Sequence, residues 1–166
     1  MVLFIQCLIL CVVFTIMILP AQYKNPLSQF ASYPTAIRKR VEELPQYKEY
    51  IKQVERGNWK RKILGTLLLT IILAVIAYLS GCKSFGTAFF HVFILFLSVN
   101  LYDLIVFDLI IFCHSKKLMI PGTEDMTEEY SNPMHHIKGA IKGCVIGTVV
   151  ALISASFVII IIEMIK

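Results

Sequence analysis

Four long apolar runs dominate the chain, at about residues 2–19, 62–79, 85–113 and 138–165. A helix needs about 20 mostly apolar residues to cross a bilayer, and each run approaches or exceeds that length. Only a few residues separate the second run from the third, which indicates an antiparallel helical hairpin. The pattern predicts an all-α polytopic membrane protein with four transmembrane helices, folded as a single domain over residues 1–166.

The segment between the first two runs has its own helical pattern. Pro20 is predicted to close the first span, and Pro34 suits the first turn of a new helix. Apolar residues then recur at helical spacing among charged ones, and Gly57 is predicted to end the element. We therefore expect an amphipathic helical loop over about residues 34–57, which either lies on the inner leaflet or docks on the bundle as a lid.

Basic residues are distributed unevenly along the chain. Ten Lys and Arg lie between residues 24 and 62 and four between 116 and 142, whereas the opposite side holds only Lys83 and Lys166. The positive-inside rule then predicts cytoplasmic loops, with both termini outside the plasma membrane. This topology explains the net charge of +5, and no basic patch with interleaved aromatic residues suggests nucleic-acid binding. The expected partner is the lipid bilayer.

Polar residues inside the third run are the most informative feature of the sequence. Asn100, Asp103 and Asp108 interrupt an otherwise apolar stretch, and ionisable groups at membrane depth normally face protein or a wet cavity. If the run is an α-helix, Asn100 and Asp103 share one face, His91, Ser98 and Tyr102 lie on the opposite side, and Asp108 lies between the two groups. We expect a functional role for both carboxyl groups. The structural alternative is that Lys138 and Lys142 neutralise Asp108.

Acidic and imidazole groups are predicted to gather at the cytoplasmic end of the bundle. The third span ends near His114 and the fourth begins near His135 and His136. Such groups suit a divalent metal, proton transfer or capture of a cationic ligand. Adjacent histidines on a helix point about 100° apart and make poor joint ligands. No HExxH spacing is present, so a metal, a cofactor and a catalytic residue remain unassigned.

Small residues recur every four positions through the start and middle of the fourth run. The pattern is typical of a close contact between helix backbones, made either within the chain or between chains. The five residues in this stripe are Gly139, Gly143, Gly147, Ala151 and Ala155.

Several segments together resemble a group of small bacterial membrane proteins of uncharacterised role. The resemblance rests on Asn25-Pro26-Leu27, YPTAIR at 33–38, the Asp-rich third run and IPGTE at 120–124. It covers most of the chain and implies four spans in a bacterial plasma membrane, with no implied chemistry. Relatives often carry a Trp where Leu109 stands here.

Three functions are compatible with these features. The first is a binding or permeation module for a cation, proton or small polar ligand, with Asn100, Asp103, Asp108, His114 and His135 as candidate ligand-binding residues. The second is an accessory subunit that assembles through the small-residue stripe, as a homo-oligomer or with a membrane partner. The third is a membrane enzyme that acts on a lipid-like substrate at the cytoplasmic face.

Overall fold

The computed structural model describes residues 1–165, except for the side chains of residues 54–59. Four of its helices are long and apolar enough to cross a membrane, so the predicted fold class, an all-α polytopic membrane protein, is confirmed. Three short 3-10 helices lie in the connections. The main elements are α1 (Val2–Lys24), α2 (Thr35–Glu43), α3 (Lys48–Leu79), α4 (Phe85–Tyr102), a π-helix (Asp103–Phe112), α5 (Thr127–Ser131) and α6 (Pro133–Ile165).

Two helix ends predicted from the sequence are wrong. Pro20 does not close α1, which continues to Lys24 and ends where the Asn25 N–H donates to the Ala21 carbonyl at 3.1 Å. Helices in membranes tolerate proline because neighbouring groups satisfy the freed carbonyl. Gly57 does not end the loop helix either, since α3 runs without a break from Lys48 into the membrane span. A single glycine costs a helix only about 1 kcal/mol.

The helix α4 lies at the centre of the bundle and contacts each of the other three spans. Interhelical hydrogen bonds attach α1 to it, because Gln6 pairs with His91 at 2.9 Å and Thr15 with Tyr102 at 2.8 Å. On the other side of the bundle, the Ser154 hydroxyl of α6 donates to the Thr70 carbonyl of α3. Such bonds orient helices that have no hydrophobic driving force to associate in lipid.

The end of the bundle that carries the 80–84 turn, here called the turn end, has an apolar core. Gly81, with a φ of 82°, reverses the chain, and the Ser84 and Thr87 side chains form a capping box that starts α4. Small side chains from three helices fill the interior, so the backbones approach closely. The core includes Leu73, Ala74, Ala77, Cys82, Ala88, Val92, Leu95, Val150, Ala151, Ala155 and Val158.

At the opposite end, the loop end, the two longer connections (residues 25–47 and 113–132) pack together as one unit that we call the loop cap. Its core is aromatic, with the Phe112 ring against both Tyr33 and Tyr130. Ile37 and Val41 of α2 are fully buried in it. The predicted amphipathic helix therefore docks on the bundle through its apolar face.

Polar contacts reinforce the loop cap. The Tyr33 hydroxyl donates to the Leu118 carbonyl at 2.8 Å, and the Tyr130 hydroxyl accepts from the Ile120 N–H at 3.0 Å. Gly122 has a φ of 91°, a conformation that favours glycine, and lies against the Leu44 side chain. Buried residues of the YPTAIR and IPGTE segments thus belong to one hydrophobic cluster in the cap.

Candidate functional site

The π-helix changes which way the two intramembrane carboxyl groups point. In an α-helix, residues five apart project about 140° apart, so an α-helix would place Asp108 off the face that carries Asp103. A π-helix joins residues five apart by hydrogen bonds, as the Cys113 N–H does with the Asp108 carbonyl at 3.0 Å, so such residues lie on nearly the same side. Both carboxyl groups consequently line one cavity. The π-helix therefore places Asp108 closer to the face of Asp103 than an α-helix would.

The closest partner of Asp108 is a histidine rather than a lysine. The His136 Nδ1 lies 2.9 Å from a carboxylate oxygen of Asp108, and the exposed fraction of the side chain is 3% for His136 and 28% for Asp108. Lys138 and Lys142, the predicted counter-ions, line the same cavity but make no ion pair with Asp108. The first turn of α6 supplies His136, so the pair joins α6 to the π-helix.

A cavity of about 870 Å³ surrounds these groups at the loop end. The wall is formed by the second half of α1, the segment around α2, the end of α4 with its π-helix, and the start of α6. The polar side chains in the wall are Gln22, Gln29, Ser32, Thr35, Arg38, Asn100, Asp103, Asp108, Asn132, His135, His136, Lys138 and Lys142. A space of this size is typical of sites that hold small molecules.

Three buried polar atoms in this wall have no hydrogen-bond partner in the described part of the chain. They are Gln22 Oε1, Arg38 Nε and His136 Nε2. A buried polar atom without a partner costs about 1–3 kcal/mol, so native proteins rarely leave several of them together. His136 is the most informative, because only 4% of the residue is exposed and its other nitrogen is already held by Asp108.

Asn100 marks the end of the cavity nearest the bundle centre. Its side-chain amide donates to the Ala140 carbonyl of α6 at 3.0 Å, and its side-chain oxygen occupies the space that a Cβ on Gly143 would need. The residue therefore lines the cavity and also closes the crossing of α4 over α6. Of the predicted ligand-binding residues, Asn100 is the one with a clear packing role.

The two other predicted histidines occupy different places. His135 lines the cavity, and its Nε2–H donates to the Ser32 carbonyl at 3.0 Å, which ties α6 to the segment before α2. His114 is exposed, and its Nδ1–H donates to the carbonyls of Leu109 and Ile110 in its own helix. His114 lies outside the cavity, so the structure does not bring it to the other candidates.

The small-residue stripe divides between the cavity and the helix packing. A Cβ added to Gly139 would meet open space, and this glycine lines the cavity. At Gly147 an added Cβ would strike the Phe96 ring of α4, and Ala151 and Ala155 are fully buried in the turn-end core. From Gly143 onward, the stripe thus packs within the chain.

The three wall residues that carry an unpartnered buried atom were missed in the sequence. His136 was set aside because neighbouring histidines diverge, yet divergence is what lets His135 contact the loop cap while His136 contacts Asp108. Arg38 is the last residue of the YPTAIR segment, so the resemblance of that segment could have identified it. Gln22 follows Pro20, beyond the predicted end of α1, and became visible only because that helix continues.

The chain matches no family model, no curated protein and no solved structure. Among the residues that the structure describes, no group of three or more His, Cys, Asp or Glu side chains is arranged to hold a metal ion. The polar groups at the cavity are carboxyl, imidazole, amide, hydroxyl and basic groups.

Proposed function

We propose that this chain is an integral membrane binding protein that holds a small polar ligand in the loop-end cavity. The Asp108–His136 pair is the centre of the site. The observation that carries the proposal is a buried imidazole at the wall of an 870 Å³ cavity, with one nitrogen on a carboxylate and the other without a partner. Intramembrane ionisable groups in such a position are functional-site candidates by default.

The geometry of the pair supports recognition. Asp108 accepts a hydrogen bond from His136 Nδ1–H, which fixes the ring and its tautomer and leaves Nε2 for a further partner. The Phe112 ring, with its centroid 4.8 Å from that of His136, restrains the imidazole from the loop-cap side. A site held this firmly before binding loses less entropy when a ligand arrives.

The packing of the bundle favours binding over permeation. Beyond Asn100 the centre of the bundle is filled by the turn-end core, where Val92, Leu95 and Ala151 are each fully buried. A polar ligand that enters the cavity meets this apolar core as a closed end. Among the described residues, this apolar core supports a binding site rather than a passage through a single copy of the chain.

We also propose that the loop end faces the cytoplasm of a bacterium, with both termini outside the plasma membrane. Both longer connections belong to one loop cap, so the fourteen basic residues between residues 24 and 142, other than Lys83, lie toward the same end of the bundle. This concentration of positive charge supports a cytoplasmic loop end.

The subunit alternative has less support. Its predicted contact surface was the small-residue stripe, and Gly147, Ala151 and Ala155 are buried within the same chain. A homo-oligomer or a membrane partner would have to use another surface. The enzyme alternative has the Asp108–His136 pair as a potential base, but no described nucleophile pairs with it.

Native mass spectrometry of the purified protein tests the proposal. Each variant is incubated with a total extract of the host membranes and cytosol, then examined for bound small molecules. Asp103→Asn changes a wall carboxyl group, and Asp125→Asn is the matched control, because Asp125 is exposed in the loop and outside the cavity. Circular dichroism verifies that both variants keep their helices.

We expect a bound mass on the wild type and on Asp125→Asn, and at most a small fraction of it on Asp103→Asn. The reason is that a lost charged contact inside a low-dielectric site weakens binding more than a lost surface charge. A wild type without any bound mass, or equal binding by all three proteins, would contradict the proposal.

A further inference from the structure

Charges of both signs line the cavity, and positive ones are in excess. Arg38, Lys138 and Lys142 contribute three basic groups, against the carboxyl groups of Asp103 and Asp108. One of those carboxyl groups is already engaged by His136. The cavity is therefore better suited to a ligand with an anionic group than to the bare cation that the carboxyl groups alone had suggested.

Groups that suit an anion lie together near the start of α6. Arg38 approaches from α2, and its Nε is buried without a partner. Lys138 lies in the first turns of the 33-residue helix α6, whose N-terminal N–H groups attract negative charge. The Asn132 side chain caps that end by accepting from the Met134 N–H at 3.0 Å. Arginine and a helix N-terminus together form a typical phosphate-binding arrangement.

A carboxyl group that suits a cation lies farther from the loop end. Asp103 precedes Asp108 by one turn of the π-helix and lines the same cavity. Within the described part of the chain, its carboxyl group makes no hydrogen bond or ion pair. A primary amine on the ligand would supply that partner. The cavity thus presents Arg38 and Lys138 near the start of α6 and the Asp103 carboxyl group on the π-helix.

Apolar side chains complete the wall. Phe14 and Ile18 of α1, Leu104 of the π-helix and Met134 of α6 border the same space. Gly139 and Lys142 are exposed on the α6 side, so the cavity reaches the surface of a membrane-spanning helix. A ligand with a polar head and an apolar body could enter there from the bilayer.

We propose that the cavity binds a ligand that carries a phosphate and a primary amine, with the phosphate at Arg38 and Lys138 and the amine at Asp103. A phospholipid headgroup of the phosphoethanolamine type and a soluble phosphoamine share this chemistry. The inference rests on the proposed function, because it names the ligand class of the same site. It predicts weaker binding of a ligand that has only one of the two charges.

Lipid titration monitored by native mass spectrometry tests this inference. Delipidated protein is mixed in detergent with phosphatidylethanolamine, phosphatidylglycerol or soluble phosphoethanolamine, and dissociation constants are read from the bound fractions. Arg38→Gln removes the proposed phosphate contact. Arg40→Gln is the matched control, because Arg40 is exposed on the same helix and outside the cavity. Asp103→Asn removes the proposed amine contact.

For the wild type we expect phosphatidylethanolamine to bind about tenfold more tightly than phosphatidylglycerol, which lacks the amine. Arg38→Gln should weaken binding of both lipids about tenfold, whereas Arg40→Gln should leave both unchanged. Asp103→Asn should abolish the preference between the lipids. Tighter binding of soluble phosphoethanolamine than of either lipid would support the same chemistry with a soluble source.

Equal binding of the two lipids by the wild type, with no effect of Arg38→Gln, would overturn the inference. The proposed function would still stand in that case if a different bound mass were lost with Asp103→Asn and retained by Asp125→Asn. If that mass is absent as well, both the proposed function and the ligand class are contradicted.

Discussion

The two ends of this bundle solve the same packing problem with different chemistry. At the turn end, helices approach through small residues and close an apolar core around Val92, Leu95 and Ala151. At the loop end, the same helices separate around a polar cavity that an aromatic loop cap covers. The change occurs where Asn100 meets Gly143, one turn before α4 becomes a π-helix.

The close helix packing at the turn end makes the cavity at the loop end possible. A helix pair clamped at Gly147 and Phe96 is fixed in position, so groups beyond the clamp need not pack to hold the fold. The extra residue in each turn of the π-helix then rotates Asp108 toward Asp103. Polar groups that would destabilise a continuous apolar bundle are tolerated because the turn end and the loop cap hold the helices on either side of them.

The largest expected effect comes from Gly147→Leu, which attacks the turn-end clamp. A side chain at this position would collide with the Phe96 ring, and overpacking of a tight contact costs about 3 kcal/mol. We expect loss of the folded protein or a large fall in its thermal midpoint in detergent. Gly65→Leu is the matched control, since a Cβ there meets nothing within 4 Å. Similar midpoints for the two variants would contradict the clamp.

Phe112→Ala should destabilise the loop end selectively. Only 6% of Phe112 is exposed, and its ring contacts Tyr33, Tyr130 and His136. Truncation of a buried phenylalanine costs about 3 kcal/mol or more. Hydrogen exchange should accelerate in residues 25–47 and 113–132 and stay slow at the turn end. Phe90→Ala, where 63% of the side chain is exposed, serves as the control and should change neither end.

Tyr130→Phe tests the polar part of the loop cap with a smaller change. It removes the hydroxyl that bonds to the Ile120 N–H and the Thr123 hydroxyl and leaves the ring in place. Loss of a buried hydrogen-bond partner costs about 1–2 kcal/mol, so the unfolding midpoint should fall modestly. Tyr23→Phe, at an exposed position, should have no measurable effect. An unchanged midpoint for Tyr130→Phe would show that this hydroxyl adds nothing to the cap.

The smallest expected effect concerns the attachment of α1. Gln6 bonds to both Ser80 and His91 at the turn end. Interhelical hydrogen bonds in membrane proteins average about 0.6 kcal/mol, so a double-mutant cycle of Gln6→Leu and His91→Leu should give a coupling of that size. The cycle is measured from unfolding in mixed micelles. A coupling of zero would mean that apolar contacts alone hold α1.

The sequence was sufficient for the spans and insufficient for the site. Length and apolar content predict four membrane helices because lipid offers no hydrogen-bond partner to backbone N–H and C=O groups, and a helix pairs these groups internally. Amino-acid composition does not distinguish a π-helix from an α-helix, so the sequence did not show that Asp108 lies toward Asp103. His136 was missed for a related reason. Its partner lies on another helix, and the pair exists only once the bundle has set the register between them.

The predicted helix ends were wrong where a single proline or glycine lies inside a longer helix. Pro20 and Gly57 both stand inside helices that continue past them. The YPTAIR and IPGTE segments were noticed as a resemblance, but only the fold shows that both contribute to one buried cluster in the loop cap. A sequence gives the residues of such a cap without stating that two distant loops meet.

Cysteine labelling in membranes opened to reagent on both faces tests most directly whether the loop end holds a water-accessible cavity. Gly139→Cys places a thiol at the cavity wall and Gly65→Cys places one on α3 outside it, and neither position has an atom within 4 Å of the added Cβ. A charged, water-soluble thiosulfonate reagent is applied, and intact mass gives the labels added beyond the wild type. We predict rapid labelling of Gly139→Cys and slow or no labelling of Gly65→Cys, since the cavity admits water and the lipid-facing surface does not. Equal labelling of the two variants would contradict a water-accessible cavity at the loop end.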